Sequence, residues 1–314
     1  MLARVFPGNG FVMNVLMVCM LMLVFLCALN NLTLCVLPSR WFYTHFCQGF
    51  SKHPWRVDSG ENTANVDIAV LTIADDRMPV ELTQRIAENR YNYCWARKYS
   101  CVLPNVLETK ELAGQLPMAW AKLILLREVY RKHDCVFVLD ADSIIMQNEI
   151  DLSIPCRQLY QNGQSLMISS DVNNINSGVF MVRNTSWTGA FLDVALVYEP
   201  LLSKPRYTIP LKYENRAFFF LTGMWPQCYG VSRPDTWFAP RFHNVSWFSR
   251  GVMLVDRCLI NTRPRVQTML GDPLRSDITF DNIAGAFVVH GAGGTAFTKY
   301  TAMCRLMRDV GLGC

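Results

Sequence analysis

Two aspartates with the spacing of a metal site, Asp140 and Asp142, stand one residue apart at the end of the apolar run 136–139. Such a run is typical of a buried strand in an α/β sheet, and functional side chains collect at the carboxyl ends of these strands. Alternate residues of an extended chain point to the same side, so both carboxylates could face one hard divalent cation, Mg²⁺ or Mn²⁺, which could in turn hold a diphosphate. The alternative is an ordinary strand-to-loop boundary, where Asp is common.

His290 stands in a similar setting, because it ends the apolar run 287–289 and precedes a glycine-rich turn. Imidazole is a competent ligand for Mn²⁺ alongside carboxylates. The turn contains Gly291 and Gly293, and backbone N–H groups of residues without Cβ can approach an anion closely. The alternatives are a structural histidine and a simple tight turn.

Strands and helices alternate along the chain from residue 67 onward. The pattern predicts strands at 67–73, 136–142, 166–170, 179–182 and 286–289, and helices at 79–91, 117–130 and 187–198. This order indicates an α/β fold with a mainly parallel sheet flanked by helices, and a nucleotide site at the carboxyl edge of that sheet. Asp75, at the end of the first strand, would lie near the nucleotide or would cap the following helix.

The N-terminal region contains a candidate transmembrane helix at 11–29, which is apolar except for Asn14 and close to the length that crosses a bilayer. The absence of a small-residue cleavage site favours an uncleaved signal anchor. We therefore expect a short cytoplasmic tail at 1–10, the anchor at 11–29, a stem at 30–65 and a catalytic domain at 66–314. The flanking charges, Arg4 against Arg40, leave the orientation nearly undecided.

Cysteines and glycosylation sequons favour a lumenal domain. The chain has 12 cysteines in 314 residues, which is typical of an oxidising compartment. Asn184 and Asn244 begin sequons for N-glycosylation, and a third at Asn31 lies very near the membrane segment. The formal charge of +5 is spread along the chain, so nucleic acid is not an expected partner.

Four segments, in order, resemble the family 34 glycosyltransferases. The most informative, 176–187, has an Asn-small-Gly strand that ends in Arg-Asn before a Trp that opens a helix. The other three are 120–122, 139–143 and 287–290, and a weaker likeness occurs at 214–218. The resemblance covers roughly residues 67–295, and the ordered set is more specific than any one piece.

The resemblance implies a GT-A fold, a type II Golgi membrane protein, and transfer of galactose or xylose from a UDP-sugar to a glycan acceptor with retention. Position by position, it implies that Asp140, Asp142 and His290 bind the metal. Glu214 and Asn215 match an acidic-amide pair in the donor-sugar pocket.

A carboxylate at Glu214 could stabilise positive charge that develops on the sugar ring, with Asn215 holding donor hydroxyls or the phosphate region. The alternative for Glu214 is an exposed ion pair with Arg216. We also expect Asn176, which begins the Asn-small-Gly strand, to bind the nucleotide.

The sequence departs from the family after His290, where the family typically has a Cys and a Lys that contacts the diphosphate. Here the nearest lysine is Lys299. A catalytically silent, membrane-anchored interaction protein of the same fold is therefore one alternative function. A phosphoryl-transfer enzyme of the haloacid-dehalogenase kind is another, because it also places Asp-x-Asp after an apolar strand. The sequence leaves homo- or hetero-oligomerisation open.

Overall fold

A computed structural model of the chain describes residues 53–57, 66–73, 78–169, 175–202, 214–223, 245–262, 265–268, 276–279, 286–291 and 296–312. The predicted anchor at 11–29 lies outside these ranges. Within them, no helix is both long enough and apolar enough to span a membrane.

Ten strands are described, and six of them form one central sheet. They are β1 (Ile68–Thr72), β2 (Ser100–Val102), β3 (Cys135–Leu139), β4 (Ser143–Ile145), β5 (Leu166–Ser169), β6 (Asn176–Arg183), β7 (Val252–Val255), β8 (Arg265–Thr268), β9 (Ser276–Thr279) and β10 (Val288–His290). The order in the central sheet is β2-β1-β3-β6-β5-β7.

The helices cover this sheet. They are α1 (Val80–Arg97), α2 (Val106–Ala113), α3 (Ala121–Val129), α4 (Ser153–Gln161), α5 (Ser186–Leu202), α6 (Glu214–Thr222), α7 (Val245–Arg250), α8 (Arg257–Ile260) and α9 (Ala296–Asp309). Short 3-10 turns at Met118–Trp120 and Tyr130–Lys132 flank α3. The predicted α/β class is confirmed, because strands alternate with helices as expected.

The central sheet is mainly parallel, as predicted, with one reversed strand. β1 pairs in parallel with β2 and β3, and β5 pairs in parallel with β7. β6 lies between β3 and β5 and is antiparallel to both. Five strands thus share one direction and β6 is reversed, which the apolar pattern of β6 could not reveal because such a run reads the same in either direction.

Side chains of β3 alternate between two hydrophobic clusters on opposite faces of the sheet. Val136 and Val138 pack into the cluster that includes apolar residues of α3, α5 and α6. Phe137 and Leu139 pack into the cluster that includes residues of α1 and α4. This period of two buries both faces of β3 and fixes where the chain emerges at Asp140.

A second pair of strands positions the C-terminal part of the site. β4 and β10 are antiparallel, and His290 lies opposite Ser143. Apolar residues of both strands pack against α9 and α1 in a third cluster, which includes Ile144, Val289 and Met303. Since Ser143 follows Asp142 directly, this register brings His290 beside the Asp-x-Asp segment.

Residues 53–57, within the range predicted to be stem, pack against the folded domain. Trp55 is 2% exposed. Its carbonyl accepts a hydrogen bond from the Asp151 amide at 2.9 Å, and Arg56 forms a β-bridge with Ile150. The ring of His53 contacts Phe287 edge-on.

Two disulfides form among the described residues, Cys94–Cys101 and Cys135–Cys156. The first joins α1 to β2, and the second joins β3 to α4. The sequon residue Asn184 is exposed just after β6, whereas Asn31 and Asn244 lie outside the described residues.

Candidate metal and donor site

Asp140, Asp142 and His290 converge at the carboxyl end of β3. One ligand atom from each lies within 4.8 Å of the others. His290 Nε2 is 3.0 Å from Asp142 Oδ1 and 3.7 Å from Asp140 Oδ2. The β3 end positions Asp140, and the β4–β10 register places His290 next to Asp142. The structure thus brings the three predicted ligands together.

The imidazole of His290 fits against a residue without a side chain. A Cβ placed on Gly178 would overlap Cε1 of His290 and would also crowd Nδ1 of that ring. Gly178 is held close by its own backbone, because its carbonyl accepts a hydrogen bond from the Asp140 amide at 2.7 Å. This close approach explains the glycine of the Asn-small-Gly strand.

Lys122, near the start of α3, links the metal-site carboxylates to the predicted sugar pocket. Its side chain is 1% exposed, and Nζ donates to Asp140 Oδ1 at 2.6 Å, to Glu214 Oε1 at 3.0 Å and to the Ser177 carbonyl at 2.8 Å. Burial by itself lowers the pKa of Lys122, but the charges of Asp140 and Glu214 raise it above its ordinary value. The ammonium is therefore positive at neutral pH, and it engages one Asp140 oxygen while the other faces His290.

Glu214 and Asn215 begin α6 and both contact the start of β6. The Ser177 amide donates to Asn215 Oδ1 at 2.8 Å, and the Ser177 hydroxyl lies 2.7 Å from the same oxygen and 3.1 Å from Glu214 Oε1. Glu214 is 4% exposed. Its location excludes the exposed ion pair with Arg216 that was the alternative interpretation.

A buried arginine, Arg90, binds the residue that directly follows the Asp-x-Asp segment. Arg90 of α1 is fully buried, and its Nη2 donates to the Ser143 carbonyl at 2.7 Å and to the Ser143 hydroxyl at 2.8 Å. Burial lowers the pKa of Arg90 to about 9, and the charge of Asp142 opposes that shift. Arg90 thus places a positive charge close to Asp142 at neutral pH.

Other predicted nucleotide contacts are engaged within the protein or lie outside the described residues. Asn176 Oδ1 accepts from the Gly178 amide at 2.7 Å. The Gly291 amide, which we expected to face an anion, donates instead to the Asp142 carbonyl at 2.6 Å. Asp75 and Gly293 lie outside the described residues.

The roles of Lys122 and Arg90 were not predicted from the sequence. Each is a charged residue among the apolar positions of a helix, and that is the only signal of its burial. Lys122 lies in the family-like segment 120–122, but its three partners come from separate parts of the chain.

The donor set suits a hard or intermediate divalent cation. Two carboxylates and one imidazole are ligands that Mn²⁺ and Mg²⁺ accept, and among the described residues no thiolate belongs to this cluster. The His290 ring also has a hydrogen-bond acceptor behind it, Asn261 Oδ1, at 2.8 Å from Nδ1. The residues present therefore fit a metal.

The chain matches one family model and one curated relative, and both are galactosyltransferases by description. Residues 64–159 and 155–230 match the family model described as the galactosyl transferase GMA12/MNN10 family, which is glycosyltransferase family 34. Galactomannan galactosyltransferase 1 of Cyamopsis tetragonoloba is 24% identical over 124 residues, which are 36% of this chain and 27% of that protein. The chain thus spans about a quarter of the length of this curated relative.

Two solved structures resemble the chain at low identity. A glycosyltransferase involved in glycosylation of the major capsid of PBCV-1 is 17% identical, with a TM-score of 0.46, over 76% of this chain and 98% of that one. The galactosyltransferase LgtC, in complex with donor and acceptor sugar analogs, is 13% identical, with a TM-score of 0.45, over 78% and 95%.

The family model covers more than half of the 314 residues and includes the Asp-x-Asp segment, Lys122 and Glu214. The match argues against the phosphoryl-transfer alternative, which shares only the Asp-x-Asp pattern. The chain belongs to the galactosyl transferase GMA12/MNN10 family.

Proposed function

We propose that the protein is a metal-dependent glycosyltransferase that moves galactose or xylose from a UDP-sugar to a glycan acceptor with retention at the anomeric carbon. The observation that supports this most directly is the convergence of Asp140, Asp142 and His290 within 4.8 Å. Family membership supports the glycosyl transfer, and the name of the Cyamopsis relative supports galactose as the first sugar to test.

Asp140, Asp142 and His290 would hold Mn²⁺ or Mg²⁺, which supplies Lewis-acid stabilisation of the diphosphate leaving group when it is bound. The chain's own part is to fix the three ligands in place through β3, β4 and β10. Lys122 keeps Asp140 oriented by binding one of its oxygens.

Glu214 and Asn215 would line the donor-sugar side of the site. In this proposal Glu214 stabilises positive charge that develops on the sugar ring, and Asn215 contacts donor hydroxyls or the phosphate region. Their positions agree with this assignment, because Lys122 joins Glu214 directly to the metal ligand Asp140.

For the cellular location we propose a Golgi membrane protein of type II, with the apolar segment 11–29 as anchor and the catalytic domain in the lumen. The two disulfides and the exposed sequon residue Asn184 support an oxidising, glycosylating compartment. In sealed microsomes the domain should resist added protease, and endoglycosidase should increase its electrophoretic mobility. Digestion by external protease without a mobility change would contradict this location.

The catalytic proposal is tested by donor screening. Thermal shift and sugar-nucleotide hydrolysis are measured with UDP-galactose, UDP-xylose, UDP-glucose and GDP-mannose, with and without Mn²⁺. A UDP-sugar should stabilise the protein and be hydrolysed only when metal is present. Asp142→Asn should lower turnover by about 10²–10³-fold, the scale of losing one electrostatic stabiliser, whereas the exposed control Asp309→Asn should not.

The same screen distinguishes an active glycosyltransferase from the catalytically silent interaction protein that is the alternative. That alternative is favoured by the engaged Gly291 amide and by the family lysine that is missing after His290. It predicts metal and UDP binding without hydrolysis of any donor.

A further inference from the structure

Asn261 is a buried polar residue that contacts the predicted metal ligand His290 on the side of the ring away from Asp142. It is 2% exposed, follows α8 directly, and belongs to no segment that resembles the family. Its Oδ1 lies 2.8 Å from His290 Nδ1, while His290 Nε2 faces Asp142 on the other side of the ring. Asn261 is therefore placed to act on the metal site through His290.

A second contact agrees with this orientation of the Asn261 amide. Its Nδ2 donates to the hydroxyl of Ser169 at 3.0 Å, and Ser169 is fully buried at the end of β5. This contact uses the donor group of the amide and leaves the carbonyl oxygen for His290. An amide oxygen accepts hydrogen bonds only, so the imidazole must supply the proton from Nδ1.

Backbone pairing keeps Asn261 beside the strand that contains His290. The Thr262 amide donates to the Val288 carbonyl at 3.0 Å, and the His290 amide donates to the Thr262 carbonyl at 2.8 Å. These bonds form a parallel bridge between Thr262 and Val289. The side-chain contact therefore rests on a fixed backbone.

We propose that Asn261 is a positioning residue that fixes the Nδ1–H tautomer of His290, so that the Nε2 lone pair is available to a cation held together with Asp140 and Asp142. A neutral imidazole has one ring proton, and with that proton on Nδ1 the Nε2 atom is free to bind a cation. This inference rests on the metal site of the proposed function. Partners of this kind typically change metal affinity by about 10–100-fold when they are removed.

The test uses three variants and two measurements. Asn261→Leu keeps a similar volume but removes the acceptor, Asn261→Asp keeps an acceptor, and Asn105→Ala is a control that removes an asparagine from the start of α2. Mn²⁺ affinity is measured by calorimetry without nucleotide. The tautomer is measured by long-range ¹H–¹⁵N spectra of ¹⁵N-histidine protein without metal.

We expect Nδ1–H at His290 in the wild type, loss of that preference in Asn261→Leu, and an affinity loss of about 10–100-fold in the same variant. Asn261→Asp should restore both, and Asn105→Ala should change neither. If Asn261→Leu keeps the wild-type tautomer and affinity, or if Asn261→Asp fails as Asn261→Leu does, the inference is overturned.

Failure of the proposed function gives a different result. Wild-type protein with no Mn²⁺ affinity would contradict the metal site itself. The tautomer spectra, which need no metal, would then decide alone whether Asn261 sets the proton of His290.

Discussion

Replacing Lys122 with methionine tests whether one buried ammonium organises the site. The substitution keeps a long apolar stem and removes the charge that Asp140 and Glu214 share. Removing one partner of a buried ion pair costs about 3–5 kcal/mol, because the remaining charge is left without compensation. The Glu214 side chain is 6% exposed and the Asp140 side chain 30%, so Glu214 should account for most of the loss. We expect about 3 kcal/mol in the metal-free protein.

The assay is urea unfolding followed by tryptophan fluorescence. A loss of this size should lower the unfolding midpoint by about 1 M or more, since the slope for small proteins is about 1–3 kcal/mol per M. Mn²⁺ should recover part of the loss, because a bound cation gives Asp140 a new partner. The exposed control Lys132→Met should leave the midpoint unchanged.

The effect should be constant across neutral pH. The folded-state pKa of Lys122 lies above its ordinary value, so the stability that it contributes is complete below the unfolded-state pKa. That contribution is lost only as the pH rises through the folded-state value. At mildly acidic pH the loss in Lys122→Met should become smaller, because burial raises the pKa of Asp140 and a protonated carboxyl leaves no uncompensated charge. A loss that grew as the pH fell would contradict this assignment.

A double variant completes the test. With Glu214→Gln in place, Lys122→Met should cost less than it does alone, with a coupling of about 0.5–3 kcal/mol. If Lys122→Met unfolds at the same urea concentration as Lys132→Met, or if the two site substitutions are additive, the argument that Lys122 joins the two carboxylates is refuted.

Three further predictions concern the site and the segment 53–57. Gly178→Ala should cost about 1–3 kcal/mol in urea unfolding and weaken Mn²⁺ binding, because the new methyl group would displace His290; unchanged Mn²⁺ affinity would argue against that displacement. Glu214→Gln should lower kcat steeply with little change in UDP and Mn²⁺ affinity, whereas Asn215→Ala should weaken donor binding as well as turnover; wild-type kcat in Glu214→Gln would show that the family match of this segment is wrong. Trp55→Ala should cost about 3–5 kcal/mol in urea unfolding, although it lies in the range predicted as stem, because its side chain is almost fully enclosed; a much smaller loss would mean that 53–57 contributes little to the domain.

The sequence was most informative about elements whose burial pattern is local. The start of β3 was predicted within one residue because an apolar run precedes an abrupt pair of carboxylates, but the strand ends at Leu139 and not at the predicted residue 142. α1 was predicted too short, and it continues to Arg97. Its last turns contain Arg90 and Tyr93, polar groups that become acceptable in a core only through partners elsewhere in the chain.

The positions of the candidate ligands were predicted from strand ends, whereas their convergence was predicted only from the family resemblance and not from the residue pattern. β4 and β10 have three residues each, which is too short for a periodic signal. Their pairing joins residues about 145 positions apart, and only the observed register puts His290 opposite Ser143. Without that pairing, a strand-end histidine and a strand-end aspartate would be separate observations.

The charges of the described site explain why it should bind a cation first and a diphosphate after the cation. Three carboxylates, Asp140, Asp142 and Glu214, face two cationic side chains, Lys122 and Arg90, which leaves one net negative charge. A divalent cation changes this to one net positive charge, and a diphosphate then supplies the compensating charge. In the proposed reaction Lys122 and Arg90 therefore do more than hold the segment in place. They reduce the repulsion among the carboxylates in the metal-free protein, and they leave the metal-bound site with the sign that a nucleotide diphosphate requires.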